Sequence, residues 1–279
     1  MRFSKTINLR FCIFIYCALA LLNEQIYAET LVMGYKTVEK LPYIEKAPDN
    51  SGFYFELYNT AIKRMGHELQ IVRLPKKKIM ALMREGKVDF YPGLSFSQDN
   101  AAMMYFINTG VPGGHMGLSR QDFPDITQVN DLKGSTVIRS VGSTDFYADI
   151  PEIKSMVVPE LTPTQAIIEI IGEKADFYRT TIPALDFYIK AHPKVLRLIK
   201  LHPNCCGGKK PFYLGFSKYS KHIQEEKNPA YDPLKPDSPE NFPTRLVKGC
   251  LAYQLNEILR EMERREEIGI LYYKYFNSH

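Results

Sequence analysis

The sequence has little excess charge and none of the common catalytic signatures. Its formal net charge is +5, and its one basic cluster, Lys76-Lys77-Lys78, lies in an amphipathic stretch. The clustered basic excess of a nucleic-acid-binding protein is therefore missing. The chain has no GxSxG, HExxH, GxxxxGK[ST] or GxGxxG motif, which are the signatures of common hydrolytic, metalloprotease and nucleotide sites. Because catalytic groups can be distant in sequence, these absences favour a binding protein without deciding the matter.

No apolar run reaches the length needed to cross a membrane. The run Phe11–Leu22 has 12 residues, whereas a membrane-spanning helix needs about 20. Three basic residues precede this run, and a polar stretch ending at Ala28 follows it, which is typical of a secretory signal peptide. We predict that residues 1–28 are a cleaved signal peptide and that the mature chain is soluble in the periplasm. A buried first helix is the alternative.

Cysteine and histidine are too sparse to predict a metal or cofactor site, and we expect none. Beyond residue 28 the cysteines are Cys205, Cys206 and Cys250, with no CxxC pair and no zinc-site spacing. The six histidines are scattered along the chain. Because export leads to an oxidising compartment, we expect a disulfide from Cys250 to Cys205 or Cys206. A bond between the two adjacent cysteines is the alternative.

The first half of the chain alternates predicted strands and helices. Apolar patterning predicts strands at 31–35, 67–74 and 88–91. The intervening helices begin at Gly52 and Pro75, and each ends at a glycine. This order at this spacing predicts a parallel sheet with right-handed crossovers.

The second half repeats the same order of elements. A helix end runs through an aspartate into an aromatic strand at Gly86–Tyr91 and again at Glu173–Tyr178. This match predicts two α/β lobes of similar construction. The predicted elements of the second half are strands at 135–139 and 175–178 and helices that begin at Thr162 and Thr181.

The C-terminal part follows a different pattern. Residues 228–243 include five prolines, which indicates an exposed loop. The apolar and aromatic stretch 268–276 is expected to dock on the core. Between them we predict a long helix whose apolar stripe is Val247, Leu251, Leu255, Ile258 and Met262.

Three loops lie where an α/β sheet binds ligands, outside the carboxyl ends of predicted strands. They are Pro92–Ser97, Gly142–Thr144 and Tyr178–Thr181. Small hydroxyl residues in such loops offer backbone and side-chain donors to an anionic or polar solute. The alternative for Ser97 and Thr181 is a role as helix N-caps.

From Leu31 to about Tyr275, the sequence resembles the extracellular solute-binding protein family 3, which delivers small solutes to ABC importers. The resemblance implies a two-lobed type II periplasmic binding protein of the α/β class, with mostly parallel sheets flanked by helices. Residues 29–115 and 214–279 would form one lobe and 116–213 the other. The matching stretches are Leu31–Gly34 with Pro42-Tyr43, Gly52–Leu57, Leu82–Asp89, Asp131–Val137 with Gly142–Thr144, and Pro211–Lys218. The hinge strands would cross near Met116-Gly117-Leu118 and Tyr213-Leu214-Gly215.

Two departures from the family pattern concern the ligand. Amino-acid binders of the family carry a carboxylate-binding Arg at the position of Asn100. They also carry an ammonium-binding Asp at the position of Thr181. Both charged groups are missing here, so we expect that the solute is not a standard α-amino acid.

The other candidate ligand-binding residues follow from the same resemblance. Ser95, Thr144 and the aromatic Tyr43 fall on family binding positions, and Tyr43 would supply a stacking face. Lys78 and Arg179 lie near positions where relatives place site residues, and could supply positive charge. The alternative for Lys78 is a solvated helix face.

The sequence therefore predicts a monomeric, non-enzymatic solute-binding protein. It would capture a small polar or acidic solute by hinge closure and deliver it to an ABC permease, with no nucleic-acid partner. One alternative is a sensory protein that presents its ligand state to a membrane signalling protein. Another is an enzyme resembling a periplasmic dehydratase, which would need a cleft carboxylate of raised pKa. The candidates for that carboxylate are Glu39, Glu45 and Glu56.

Overall fold

The first of two mixed five-stranded sheets is built from both ends of the chain. The computed structural model describes residues 28–143, 145–159 and 161–277. The strands of this sheet are β1 (Thr30–Tyr35), β2 (Glu68–Arg73), β3 (Phe90–Leu94), β4 (Met104–Val111) and β10 (Phe212–Ser217). Their order is β2-β1-β3-β10-β4. β1 is parallel to β2 and β3, whereas β10 is antiparallel to β3 and β4.

The second sheet comes from the middle of the chain. Its strands are β5 (His115–Arg120), β6 (Thr136–Ser140), β7 (Lys154–Val158), β8 (Phe177–Thr181) and β9 (Ile199–His202). Their order is β7-β6-β8-β5-β9, with β6 parallel to β7 and β8, and β5 antiparallel to β8 and β9. Two such sheets confirm the predicted two-lobed α/β fold. A small ribbon pairs β11 (Glu225–Lys227) with β12 (Thr244–Leu246).

Helices flank both sheets, and their starts follow the predicted signals. Thr162 accepts a hydrogen bond from the backbone N–H of Gln165 at 3.1 Å, and Pro163 occupies the first turn, as in a standard N-cap. The α-helices are α1 (Phe53–Arg64), α2 (Lys76–Arg84), α3 (Gln98–Ala101), α4 (Pro163–Ile171), α5 (Ile182–Ala191), α6 (Leu251–Arg264) and α7 (Glu267–Phe276), with 3-10 turns at Val129–Leu132 and Pro193–Arg197. Among the described residues, none of these helices combines the length and apolarity that a membrane span requires.

Two strands extend further than predicted, because antiparallel partners from distant sequence pair with their ends. Tyr178–Thr181 was predicted as a loop, but it belongs to β8, where β5 pairs with it as far as Thr181. Pro92–Leu94 likewise belongs to β3, where Leu94 is the partner of Tyr213 on β10. The prediction of loops at these residues is therefore wrong, and Arg179 and Thr181 lie on a strand.

Each sheet has its own core. The first is large and aromatic, and it includes Phe90, Phe216 and residues of α6 and α7. Phe276 of α7 packs 5.7 Å from the Phe53 ring, measured between ring centroids, so the predicted docking of the C-terminal segment is confirmed. The second sheet has a separate apolar cluster on each face, around Ile138 and around Val137.

The cysteine pairing differs from the main prediction. Cys205 and Cys206 are bonded to each other, and Cys250 is free. Cys205 and Cys206 pack on a cluster of the second sheet, whereas Cys250 packs on the core of the first sheet just before α6. The predicted bond from Cys250 is therefore wrong, because the thiols belong to different lobes.

The chain passes between the sheets at two segments that contact each other. One is 112–114, between β4 and β5, and the other is 203–211, between β9 and β10. The backbone N–H of His115 donates to the carbonyl oxygen of Gly208 at 3.0 Å. The predicted crossing positions near Met116 and Tyr213 lie inside the strands that adjoin these segments. The assignment of residues 29–115, 116–213 and 214–279 to lobes remains a proposal.

Gly114 makes the contact between the crossing segments possible. Its φ is +105°, and a Cβ there would lie 2.1 Å from the carbonyl oxygen of Gly208. We predict that Gly114→Ala destabilises the protein by about 2–4 kcal/mol through backbone strain and overpacking. Gly134→Ala is the matched control, since Gly134 has φ +83° and a Cβ there would meet nothing within 4 Å. Urea unfolding measures both variants, and equal losses would contradict the close approach at Gly114.

Candidate functional site

The candidate site lies at the carboxyl edges of the parallel strands in both sheets, where α/β sheets bind ligands. Lys40 follows β1, and Lys76 begins α2 directly after β2. Gly142 follows β6 in the second sheet. A Cβ on Gly142 would lie 3.8 Å from the Cβ of Lys76. The two edges therefore meet in this structure.

Three polar residues of the second sheet share one face. His115 on β5 is the register partner of Thr181 on β8, and Gly117 is the partner of Arg179. Opposed residues of an antiparallel pair point to the same side of a sheet, and alternate residues of a strand share a side. His115, Arg179 and Thr181 are therefore neighbours on one face of the second sheet.

Two lysines of the first lobe lie on aromatic rings. The Nζ of Lys40 is 5.2 Å from the Tyr43 ring centroid and 5.6 Å from that of Phe212. The Nζ of Lys76 is 6.0 Å from the ring centroid of Tyr91. These contacts with aromatic faces are favourable, but they leave the positive charges unneutralised.

The cations from the two lobes act on one another. Burial, together with the charges of Arg179, Lys40 and Lys76, lowers the pKa of His115 to about 3. Burial also lowers the pKa of Lys40 to about 7, with contributions from Lys36 and Lys76. Burial similarly lowers the pKa of Lys76. Like charges that depress one another in this way form a region of positive potential that attracts anions.

Arg179 occupies the centre of the second lobe's part of the site. Its guanidinium carbon is 4.1 Å from the ring centroid of Phe146, and its Nη2 donates to the carbonyl oxygen of Cys206 at 3.4 Å. Burial lowers its pKa, and the nearby Tyr147 hydroxyl has the opposite effect. Phe146 itself is half exposed, so the stacked pair borders solvent.

Tyr43 is not an open stacking surface, which corrects the sequence-based prediction. Its side chain is fully buried. Its ring stacks on Tyr54 with centroids 4.7 Å apart and meets Phe276 edge-on at 4.9 Å. The prediction failed because the C-terminal helix, which is distant in sequence, covers the ring. Burial raises the pKa of the Tyr43 hydroxyl.

Several buried hydroxyl groups near these cations have no hydrogen-bond partner within the described part of the chain. They are the hydroxyls of Tyr43, Tyr147 and Thr181. Thr181 is the N-cap residue of α5, as its alternative proposed, but its side chain makes no cap hydrogen bond. Ser97 does cap α3, since its Oγ accepts from the backbone N–H of Asn100 at 3.3 Å. A buried donor without a partner is costly, and a bound solute would satisfy it.

The remaining predicted residues lie on the rim or outside the described ranges. Ser95 and Asn100 are half-buried, just after β3 and on α3. Lys78 is exposed on α2, which agrees with its solvated-face alternative. Thr144 lies outside the described residues.

Sequence reasoning missed Lys40, Lys76 and His115. A signal existed for Lys76, because it precedes the buried Ile79 by three residues and Met83 by seven, the spacing of one helix face. Lys40 and His115 lie in a loop and at a crossing, where no periodic pattern indicates which way a side chain points.

Of the carboxylates considered from the sequence, Glu56 is paired with other residues, whereas Asp186, which lies near the site, was not considered. Glu56 binds Lys274 and Tyr275, and Lys274 lowers the pKa of that carboxyl. Asp186 on α5 lies near Tyr43, and burial raises the pKa of its carboxyl. The charges of Lys190 and Lys209 act in the opposite direction and lower that pKa. Within the described ranges, no group of three or more His, Cys, Asp or Glu side chains could hold a metal ion.

Comparisons with known proteins agree with the fold. The family model described as "Bacterial extracellular solute-binding proteins, family 3" matches residues 31–278. A search of curated proteins found no significant match. Many solved structures are similar, all of those compared at low sequence identity, so they support the fold alone.

Three of these structures represent different functions. A mutant of ArgBP from T. maritima has a TM-score of 0.66 and 17% identity, covering 89% of this chain and 96% of that one. The ancestral amino-acid-binding protein AncCDT-1, a precursor of cyclohexadienyl dehydratase, has a TM-score of 0.63 and 21% identity, with 88% and 95% covered. A histidine kinase sensor domain similar to periplasmic binding proteins has a TM-score of 0.63 and 15% identity, with 88% and 95% covered.

Proposed function

We propose that this chain, which belongs to the bacterial extracellular solute-binding proteins, family 3, captures a small acidic solute between its lobes and delivers it to an ABC importer. The proposed site of action is the periplasm, after removal of residues 1–28. The observation that carries the proposal is the convergence of Lys40 and Lys76 from one lobe with Arg179 and His115 from the other. The Nζ of Lys40 and the ring centroid of His115 lie 5.6 and 5.8 Å from the centroid of the same Phe212 ring, and a Cβ on Gly142 would lie 3.8 Å from the Cβ of Lys76.

Hinge closure is the proposed means of capture. The cations stand on two lobes joined by two crossing segments, so opening the cleft separates them. Closing without a solute brings like charges together, which is unfavourable. An anion between the lobes would reverse the sign of that interaction and stabilise the closed form, in keeping with ligand-driven closure about a hinge.

The proposed solute is not a standard α-amino acid. Asn100 and Thr181 stand where amino-acid binders of the family carry Arg and Asp. Asp186 is a weak substitute for the missing ammonium-binding carboxylate. The positive charges of Lys190 and Lys209 offset its negative charge, and burial disfavours its ionised form. The proposed site therefore binds negative groups and has no dedicated carboxylate for an ammonium group.

Transport is the preferred function, and sensing is the second candidate. The similarity to a histidine kinase sensor domain favours sensing, but it is a similarity of fold, which does not fix function. The gene's neighbours separate the two, since a permease and an ATPase accompany transport and a membrane kinase accompanies sensing. The proposal treats the protein as a non-enzyme, and conversion of a bound solute by the purified protein would overturn that part.

The experiment that tests the proposal starts from protein purified from its host. Native mass spectrometry should detect a retained acidic solute, and titration calorimetry over the twenty standard amino acids should show negligible heat. A matched pair sharpens the exclusion: N-acetylglutamate carries the two carboxylates of glutamate without its ammonium group. We expect N-acetylglutamate to bind more tightly than glutamate. Micromolar affinity for any standard amino acid would refute the exclusion.

A further inference from the structure

The number of cations in the site exceeds what one negative charge can neutralise. Lys40, Lys76 and Arg179 each place a cationic group on an aromatic ring, at 5.2, 6.0 and 4.1 Å from the respective ring centroids. His115 lies beside them, with its ring centroid 5.8 Å from that of Phe212. The site can therefore present three cations, with the His115 imidazole beside them.

The surroundings of these cations supply little negative charge. The charges that act on His115 are those of Arg179, Lys40 and Lys76, and those that act on Lys40 are Lys36 and Lys76. Among the described residues no carboxylate forms an ion pair with Arg179, whose Nη2 donates to the carbonyl oxygen of Cys206. By contrast, Arg120 and Arg139 of the same lobe lie 3.6 Å and 2.7 Å from the carboxylates of Asp176 and Asp145.

The contrast between paired and unpaired arginines indicates what the site lacks. Half-buried charges are normally paired, because desolvation makes an isolated charge costly. A solute with one negative charge would offset one cation and leave the other two uncompensated. Two or more negative charges could engage both lobes and neutralise the cations together.

We infer that the site accepts a solute with at least two negative charges, held by Lys40 and Lys76 of the first lobe and by Arg179 and His115 of the second. The inference rests on the proposed function. The chemistry fits dicarboxylates and tricarboxylates as well as phosphate monoesters. The hydroxyls of Thr181 and Tyr147, which have no partner among the described residues, would donate to the same oxygens.

The test is a calorimetric series in which one charge changes at a time. Succinate is compared with its monoamide succinamate, and tricarballylate extends the carboxylate series to three charges. Glycerol 3-phosphate with its singly charged methyl ester, glycerol 3-(methyl phosphate), forms the phosphate arm. We expect the best multiply charged probe to bind at least 30-fold more tightly than its less charged partner. Whether that best probe is a carboxylate or glycerol 3-phosphate tells which of the two chemical classes the site prefers.

Substitutions assign the effect to the named residues. Lys76→Met should weaken the best probe at least 10-fold, whereas Lys77→Met, an exposed neighbour on the same helix turn, should leave its affinity within twofold. Equal affinity for singly and doubly charged partners would overturn this inference and leave the proposed function standing. Absence of binding by every acidic probe, with no acidic solute retained from the host, would overturn both.

Discussion

Replacing Arg179 with methionine is expected to weaken binding of the best acidic probe by about 10- to 150-fold. A hydrogen bond to a charged group contributes about 1.5–3 kcal/mol, and about 1.4 kcal/mol corresponds to a tenfold change. Among the described residues no carboxylate acts on the Arg179 guanidinium, so its charge is available to a solute. Its fork is fixed between the Phe146 ring and the carbonyl oxygen of Cys206, so little entropy is lost on binding.

Two further variants separate charge and geometry from general damage to the lobe. Arg179→Lys keeps the charge but loses the planar fork, and should fall between wild type and Arg179→Met. Arg120→Met is the matched control, since Arg120 has similar burial in the same sheet but pairs with Asp122 and Asp176 at the far end of β5. It should lose stability without losing affinity. Wild-type affinity in Arg179→Met, measured by calorimetry, would remove Arg179 from the site.

Most of the fold could be predicted from the sequence, because local patterns determine it. The α1 stripe of Leu57, Ala61 and Ile62 is buried as expected, and the helix start at Thr162 is capped as expected. The errors come from contacts between distant segments. The ends of β3 and β8 were misjudged because β10 and β5 pair with them, and no local pattern records that pairing.

The candidate site was less predictable than the fold for the same reason. Arg179 could be found because it stands at a strand end next to small hydroxyl residues. His115 becomes a site residue only because the crossing at Gly114 brings β5 beside β8. Tyr43 was misjudged because Phe276, more than two hundred residues later, packs against its ring. Family resemblance locates the cleft but not the side chains that replace the family's usual charged pair.

Lys40→Met is expected to stabilise the protein without solute at neutral pH, while weakening its binding of acidic probes. The Lys40 side chain is half-buried, and its pKa is lowered from 10.5 to about 7 by burial and by the nearby cations. Each pKa unit corresponds to about 1.4 kcal/mol. After allowance for partial solvation, we expect a gain of about 2–3 kcal/mol and a rise in melting temperature of about 5 °C.

The sign of the pH dependence follows from proton binding. Between about pH 7 and 10.5 the unfolded chain keeps the Lys40 proton and the folded protein has lost it. The unfolding free energy of wild type therefore gains from Lys40 as the pH rises through this window. The methionine variant lacks this change, so its advantage should be full below about pH 7 and should vanish towards pH 10.5.

Thermal melts of wild type and variant at pH 6, 8 and 9.5, without solute, measure this difference directly. Lys46→Met is the matched control, because Lys46 is exposed in the same loop and its removal should change the melting temperature little at any of these pH values. With a saturating dicarboxylate at pH 6 the order should reverse, because bound solute stabilises wild type more than the variant. A methionine variant that is less stable than wild type at pH 6 without solute would mean that an anionic partner already neutralises Lys40. The cationic site would then have one fewer charge to offer.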